Sequence, residues 1–150
     1  MKIRRINLKI GYTTGVFDMF HIGHLNIIKK AKENCDYLIV GVTTDEEVVR
    51  VKNKKPIIPF NERIEIIKSI SYVDQVYVED NTDKLLAWEK LKFNIIFKGD
   101  DWKGSEKWRY YECEFEKKGV KIQYFPYTKS TSSTKLRAVL EKILNNELQE

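Results

Sequence analysis

The sequence lacks the features that define several large protein classes. It has only two cysteines, Cys35 and Cys113, which are far apart and outside any metal-ligand spacing, so we expect two reduced thiols. No apolar run approaches the roughly 20 residues that a membrane-spanning helix needs. The basic segment 1–6 lacks the apolar region of a signal peptide. These absences predict a cytoplasmic protein that does not act in a membrane.

Several catalytic and binding motifs are missing as well. The chain has no G-x-S-x-G turn and no cysteine close to a histidine, which argues against covalent catalysis. It has no G-x-x-x-x-G-K-[ST] loop, which argues against a P-loop kinase. The net charge is +5, but there is no run of five basic residues and no RNA-binding motif. We therefore expect a small anionic ligand and no nucleic acid, with RNA binding as an alternative motivated only by the charge.

What the chain does contain is a regular alternation of strand-like and helix-like segments. With 150 residues, 42% of them hydrophobic and 33% charged, it can form one domain over 1–150 with a real core. The alternation predicts a parallel α/β sheet. Strands are predicted over 8–13, 37–42, 73–78, 94–98 and 120–125, and helices over 22–34, 62–70 (capped by Asn61), 82–91, 103–118 and about 135–148.

The stretch from Gly15 to His24 lies between the first predicted strand and the first predicted helix. His21 and His24 are the only two histidines, and on a helix residues three apart share a face. A helix start has unpaired N–H groups and a partial positive charge, which suit a phosphate. Gly15 and Gly23 have no side chain to keep a ligand from the backbone. A purely structural pair of capping histidines would leave these two glycines unexplained.

Three further segments carry polar groups that suit a polyphosphate. They are the lysine loop at 52–55, Arg63 near a helix start, and the hydroxyl-rich run at 130–134; Asp100 and Asp101 also follow a predicted strand. Each segment has a structural alternative. The lysine loop could be a solvated surface loop, and Arg63 could pair with Glu62 or Glu65 at the surface. The run at 130–134 could be a connection that ends in a helix cap. Together the segments indicate a site for a polyphosphate, where positioning and charge stabilisation could support a reaction without a protein nucleophile.

The pattern G-x-F-D-x-x-H-x-G-H at 15–24 resembles the nucleotide-binding signature of the cytidylyltransferase family of nucleotidyltransferases. K-x-K-K at 52–55, E-R at 62–63, G-D-D-W at 99–102 and S-x-T-K at 132–135 extend the resemblance, towards the glycerol-3-phosphate cytidylyltransferases, over roughly 9–137. It implies a Rossmann-like open α/β sheet of about five parallel strands flanked by helices, and a homodimer. It also implies transfer of CMP from CTP to glycerol 3-phosphate, giving CDP-glycerol for a cell-surface polymer.

The same resemblance assigns roles by position. The catalytic residues would be His21, His24 and Lys54, and Asp18 would order the turn or help to place a metal ion. The residues that bind the nucleotide would be Val16, Phe17, Asp18, Gly23, Asp100, Thr128, Ser132, Ser133 and Thr134, and those that bind the acceptor would be Lys52, Arg63 and Lys84. Mg²⁺ is expected with the triphosphate, because it neutralises phosphate charge. No residue is assigned as a metal ligand.

One departure from the family pattern leaves alternatives open. The family motif R-T-x-G-I-S-T-T corresponds here to residues 127–134, where Tyr127 replaces the arginine and Ser130 and Thr131 replace the glycine and isoleucine. Lys129 could supply the missing charge. The alternatives are ATP as donor, or ribitol phosphate, phosphocholine, phosphoethanolamine or flavin mononucleotide (FMN) as acceptor. A non-catalytic nucleotide-binding module is a further alternative.

Overall fold

The computed structural model describes residues 7–126 and 131–147. Strands and helices alternate along these ranges. The strands are β1 (Ile10–Gly15), β2 (Tyr37–Thr43), β3 (Gln75–Glu79), β4 (Ile95–Gly99) and β5 (Lys121–Phe125). The helices are α1 (Ile22–Glu33), α2 (Asp45–Lys52), α3 (Phe60–Lys68), α4 (Lys84–Leu91), α5 (Glu106–Lys117) and α6 (Ser133–Glu147), with a short 3-10 turn at Asp100–Trp102.

The strands form one parallel sheet with the order β3-β2-β1-β4-β5. Tyr12 in the central strand β1 pairs with Ile39 of β2 on one side and with Ile96 of β4 on the other. The chain therefore winds outward from β1 in both directions. In open sheets of this kind, ligands bind beyond the carboxyl ends of the strands where the winding reverses, which here is between β1 and β4. The predicted Rossmann-like fold is confirmed.

Hydrophobic residues cover both faces of the sheet. Neighbouring positions of one strand belong to different clusters, because successive side chains of a strand point to opposite faces. Phe97 packs in a cluster with Ile28 of α1 and Ile67 of α3, whereas Ile96 packs in the other cluster with Phe115 of α5. The continuous apolar run in β2 is the pattern expected of a parallel strand covered on both sides.

Several predicted boundaries differ from the observed ones. Helix α3 begins at Phe60 after Pro59, so the predicted cap at Asn61 is wrong. Helix α5 begins only at Glu106, because Gly104 adopts a left-handed φ of 83° and Ser105 caps the helix. Helix α6 begins at Ser133, two residues earlier than predicted, and its predicted last residue lies outside the described ranges. No helix in the described ranges is both long and apolar enough to cross a bilayer.

Candidate active site

The turn between β1 and α1 has a constrained backbone. Phe17 and Met19 adopt left-handed φ angles of 54° and 47°, which cost non-glycine residues roughly 1–2 kcal/mol each. The carboxylate of Asp18 between them accepts the backbone N–H groups of Ile57 and Ile58, both at 2.9 Å. Strained backbone of this kind persists where surrounding contacts hold it, and such sites are concentrated where ligands bind.

The same turn also holds the start of α6. The hydroxyl of Ser133 donates to the backbone carbonyl of Asp18 at 2.6 Å. The turn thus fixes two distant segments, the loop that follows Lys52 and the start of the last helix. Of the two roles considered for Asp18, ordering the turn agrees with these contacts, in which each carboxylate oxygen accepts one backbone N–H.

The two histidines cap helix α1 and stack on each other. His21 Nδ1 accepts the Gly23 N–H at 3.0 Å, and His24 Nδ1 accepts the His21 N–H at 3.3 Å. Their ring centroids are 3.9 Å apart. Since Nδ1 is the acceptor in both rings, the hydrogen-bond network assigns the proton of each neutral imidazole to Nε2. The pair therefore caps the helix and still offers two N–H donors.

Both imidazoles are neutral near pH 7. Burial, with a contribution from His21, lowers the pKa of His24 to about 4, although Asp18 acts in the opposite direction. Burial also lowers the pKa of His21. The rings can donate hydrogen bonds to a phosphate, but they do not supply positive charge. That charge has to come from lysine and arginine side chains.

A cleft of about 440 Å³ opens at the carboxyl ends of β1 and β4, within the range of cavities that enclose small ligands. His24 lines the cleft, whereas His21 is not part of the cleft wall and stacks on the His24 ring. Gly23 is buried against His21, where an added Cβ would lie 2.8 Å from the ring. The other predicted residues that line the cleft are Val16, Phe17, Asp18, Lys52, Lys54, Ser133 and Thr134.

Arg63 does not face the cleft, which corrects its predicted role in acceptor binding. Its side chain is fully buried, and its Nη1 donates to the carbonyls of Val16 at 2.7 Å and Thr43 at 2.8 Å. Nε donates to the carbonyl of Ile58, and Nη2 pairs with Asp45 at 2.7 Å. The buried guanidinium connects the turn, the end of β2, helix α2 and the lysine loop. It acts as an internal support for the site.

Asp100 and Ser132 lie outside the cleft wall, and Lys84 lies in the wall of a second, smaller cavity. Asp100 begins the 3-10 turn, and its neighbour Asp101 is the one that lines the cleft. Ser132 accepts the N–H of Lys135 at 3.4 Å at the start of α6 and is not part of the cleft wall. Lys84 is buried and paired with Glu79 at 2.8 Å. Thr128, and Lys129 with it, lie outside the described residues.

A second cavity of about 140 Å³ shares a wall with the cleft; we refer to it as the side chamber. Its two glutamates are engaged by other protein groups. Glu47 pairs with Arg50 and accepts from Thr82, and Glu79 pairs with Lys84 and accepts from the Thr43 hydroxyl. The wall is rich in positive charge and includes Lys52, Lys84, Lys98 and Lys107.

The structure adds two cations that the sequence reading missed. Arg137 of α6 lines the cleft, one helical turn beyond Ser133. The i, i+4 spacing of these two residues was a usable signal, because such residues share a helix face. Lys98 lines both the cleft and the side chamber. Its position next to the G-D-D-W motif, at a strand end, could also have identified it.

Comparison with known proteins places this geometry in a family. The sequence profile of the cytidylyltransferase-like family matches residues 12–139. The chain belongs to the cytidylyltransferase-like family. It is therefore a member of a family of nucleotidyltransferases.

Individual members of the cytidylyltransferase-like family are similar over most of the chain. The glycerol-3-phosphate cytidylyltransferase of Bacillus subtilis (strain 168) is 35% identical over 132 residues, 83% of this chain and 92% of that protein. The FAD synthase of Pyrococcus abyssi is 34% identical over 148 residues, 93% of each. The crystal structure of a lipopolysaccharide core biosynthesis protein from Thermoplasma volcanium superposes with a TM-score of 0.68 at 28% identity, covering 83% of this chain and 99% of that one.

These relatives are nearly equally similar but carry different names. Family membership therefore fixes the class of reaction, and the choice of acceptor has to be argued from the chemistry of this chain's own cavities.

Proposed function

We propose that this protein transfers CMP from CTP to a small phosphorylated alcohol, with glycerol 3-phosphate as the first candidate. The products would be CDP-glycerol, a precursor for a cell-surface polymer, and pyrophosphate. The observation that carries the proposal is the junction of two cavities at the edge of the sheet. The larger is lined by groups that suit phosphates, and the smaller has four lysines in its wall.

The larger cleft suits the triphosphate. Its phosphates would lie over the start of α1, where the helix dipole and the Nε2–H of His24 stabilise negative charge. Lys54 and Arg137 line the same cleft and supply positive charge. These groups stabilise the charge that develops on the transferring and leaving phosphates, which is the main contribution a protein makes to this reaction.

The side chamber suits the acceptor. An oxygen of the acceptor phosphate would attack the α-phosphorus of CTP, forming the new P–O bond as the bond to the pyrophosphate leaving group breaks. Lys52 lines both cavities and would hold the acceptor phosphate beside the α-phosphate. No protein nucleophile and no oxidant or reductant is needed.

The size of the side chamber favours a small acceptor. Its volume of about 140 Å³ is below the ~300 Å³ at which cavities begin to enclose drug-sized ligands. A three-carbon or five-carbon alcohol phosphate is compatible with such a space, whereas the three fused rings of FMN would have to extend beyond it. Glycerol 3-phosphate or ribitol phosphate is therefore favoured over FMN.

Mg²⁺ is proposed to arrive with the nucleotide. Within residues 7–126 and 131–147, no three histidine, cysteine or carboxylate side chains are placed to hold a metal ion together. Mg²⁺ is commonly bound through one or two carboxylates and the substrate phosphates, so these residues fit an ion that keeps phosphate ligands. Asp101 lines the cleft and is the carboxylate we propose to face it. When bound, the ion would neutralise phosphate charge.

The protein is also proposed to be a homodimer. Helix α6 has no buried residue, and one stripe of it is apolar and exposed. The stripe consists of Leu136, Val139, Leu140, Ile143 and Leu144, with exposed fractions of 37–57%. Residues at these spacings share one face of a helix and usually pack against another element. A second copy of the chain would cover this face.

A matrix of pyrophosphate-release assays tests the proposed reaction. The four nucleoside triphosphates would each be combined with glycerol 3-phosphate, ribitol phosphate, phosphocholine, phosphoethanolamine and FMN, in the presence of Mg²⁺. We expect release to be fastest with CTP and an alcohol phosphate. Turnover with ATP but not with CTP would reject the cytidylyl assignment. Nucleotide binding without turnover of any acceptor would instead indicate a non-catalytic module.

A further inference from the structure

Lys98 carries a charge that no described carboxylate neutralises directly. The residue lies near the carboxyl end of β4, and within the ranges 7–126 and 131–147 it forms no hydrogen bond or ion pair through Nζ. Its Nζ lies 5.0 Å from the ring centroid of Trp102 and 5.6 Å from that of Trp108. The ammonium thus lies near two indole rings, at the boundary between the cleft and the side chamber.

None of the charged side chains around Lys98 in the described ranges forms an ion pair with its ammonium group. The charged groups that influence Lys98 are Lys84, Asp101, Glu79 and Lys52. Glu79 is already bonded to Lys84 and to the Thr43 hydroxyl. Burial, together with Lys84, lowers the pKa of Lys98 to about 8. The side chain is therefore still mostly an ammonium at pH 7.

Aromatic rings around a cation are also the arrangement with which proteins recognise ammonium ligands. Quaternary ammonium groups bind between tryptophan and tyrosine faces by cation–π attraction. In this protein the corresponding space beside Trp102 and Trp108 is occupied by the chain's own ammonium group. An acceptor with a cationic head would have to displace it or approach it closely.

We propose that Lys98 determines the choice of acceptor by occupying this cation site, so that the enzyme selects phosphorylated alcohols whose head carries no positive charge. The proposal rests on the proposed transfer to a phosphorylated alcohol. A polyol head can accept hydrogen bonds from the Lys98 ammonium, which has three donors. An ammonium head is opposed by Lys98 and by the other lysines of the chamber, because like charges brought together cost several kcal/mol.

The inference predicts that phosphocholine and phosphoethanolamine are poor acceptors for the wild-type enzyme. The quantity to measure is the ratio of kcat/KM for glycerol 3-phosphate to kcat/KM for phosphocholine, at saturating CTP. We expect the ratio to be about 100 or more in the wild type and to fall about tenfold or more in Lys98→Met, since the neutral side chain removes the repulsion. Lys98→Arg keeps the charge and should keep most of the preference.

A matched control is available at a lysine–tryptophan contact that lines neither cavity. Lys118 Nζ lies 4.8 Å from the ring centroid of Trp88, outside both cavities. Lys118→Met removes the same kind of contact and should leave the acceptor ratio and both KM values unchanged. In Lys98→Met the change should appear in the ratio of the KM values for the two acceptors, measured at CTP concentrations that saturate the variant.

The possible failures are distinguishable. A wild type that turns over no acceptor would refute the proposed function. A wild type that uses phosphocholine within tenfold of glycerol 3-phosphate would refute the role of Lys98 and leave transferase activity intact. A ratio of the two kcat/KM values that is unchanged in Lys98→Met would also refute the role of Lys98 and leave transferase activity intact. If thermal unfolding shows that Lys98→Met does not fold, the wild-type ratio and Lys98→Arg decide the question.

Discussion

At the scale of single residues, the ring of His24 combines a structural role with the chemical role that we propose for it. Its Nδ1 accepts a backbone N–H in the helix cap, so Nε2–H is the group that we propose as a donor to a phosphate in the cleft. The sequence reading treated a cap and a phosphate ligand as alternatives. They are compatible because the two ring nitrogens act independently, which cannot be inferred from the H-x-G-H spacing alone.

Removing either imidazole is predicted to slow catalysis. His24→Ala should lower kcat about 100-fold or more, as for other lost donors to developing charge. His21→Ala should lower kcat by a similar factor, because the His21 ring stacks on the His24 ring and holds it in place. Because His21→Ala also removes a helix cap, it should cost about 1 kcal/mol of stability. His24→Gln is the control for capping, since glutamine is a usual residue at the third helical position of a capping box. If both His24 variants kept wild-type turnover, the ring would have no part in the mechanism.

The depressed pKa of His24 predicts a pH dependence of stability. The unfolded chain titrates near 6.5 and the folded one near 4, so the unfolded state binds more protons as the pH falls. The contribution of His24 to the free energy of unfolding is therefore fully present above about pH 6.5. It is lost as the pH falls towards 4, which lowers the free energy of unfolding by up to about 3 kcal/mol. Denaturant unfolding at pH 7 and pH 4.5 should show a smaller loss in His24→Gln than in the wild type. Equal losses would contradict the assigned pKa.

Arg63 provides a prediction about stability with no direct effect on substrate binding. Replacing it with methionine leaves Asp45 and three carbonyl groups without their donor, and breaking a buried pair typically costs about 3–5 kcal/mol. Arg109→Met, on the exposed surface of α5, is the matched control and should change stability by less than about 0.5 kcal/mol. Chemical denaturation measures both. If the Arg63→Met variant folded with wild-type stability and showed only a raised KM for the acceptor, the prediction that Arg63 binds the acceptor would be restored.

At the scale of elements, the sequence predicted which strands and helices are present better than it predicted the residues at which they begin and end. All five strands were predicted to within two residues, because their apolar runs are bounded by turn residues. The start of α3 was missed because the N–H of Phe60, its first residue, donates to the carboxylate of Asp45. That residue lies fifteen positions earlier, so no local pattern marks the start of the helix. The sequence reading gave no bounds for α2, because the lysines at its end were taken as part of a loop.

The apolar stripe of α6 carries the prediction about assembly. Leu140→Asp combined with Ile143→Asp should convert a dimer into monomers, since two charges would be buried without partners. Analytical ultracentrifugation at micromolar concentration would measure the change. Lys142→Glu lies on the same helix but outside the stripe, and it should leave the mass unchanged. A monomeric wild type would rule out the dimer.

At the scale of the whole molecule, the strand order is what creates the site. β1 and β4 are adjacent although about 80 residues separate them, and local patterns carry no information about that pairing. The resemblance to the family supplied the fold class, and the structure then showed which side chains the order brings together. It placed His24, Lys52, Lys54 and Ser133 around one cleft, and it removed Arg63 from it.

The central claim is that this one cleft joins a nucleotide to a phosphate acceptor. Phosphorus NMR of the wild type with CTP, Mg²⁺ and glycerol 3-phosphate tests it most directly, because substrate and both products are seen together. We predict a new pyrophosphate diester and free pyrophosphate in equal amounts, formed about 100-fold more slowly by His24→Ala. CTP that remains intact, or is hydrolysed without forming the diester while every acceptor is present in excess, would contradict the account.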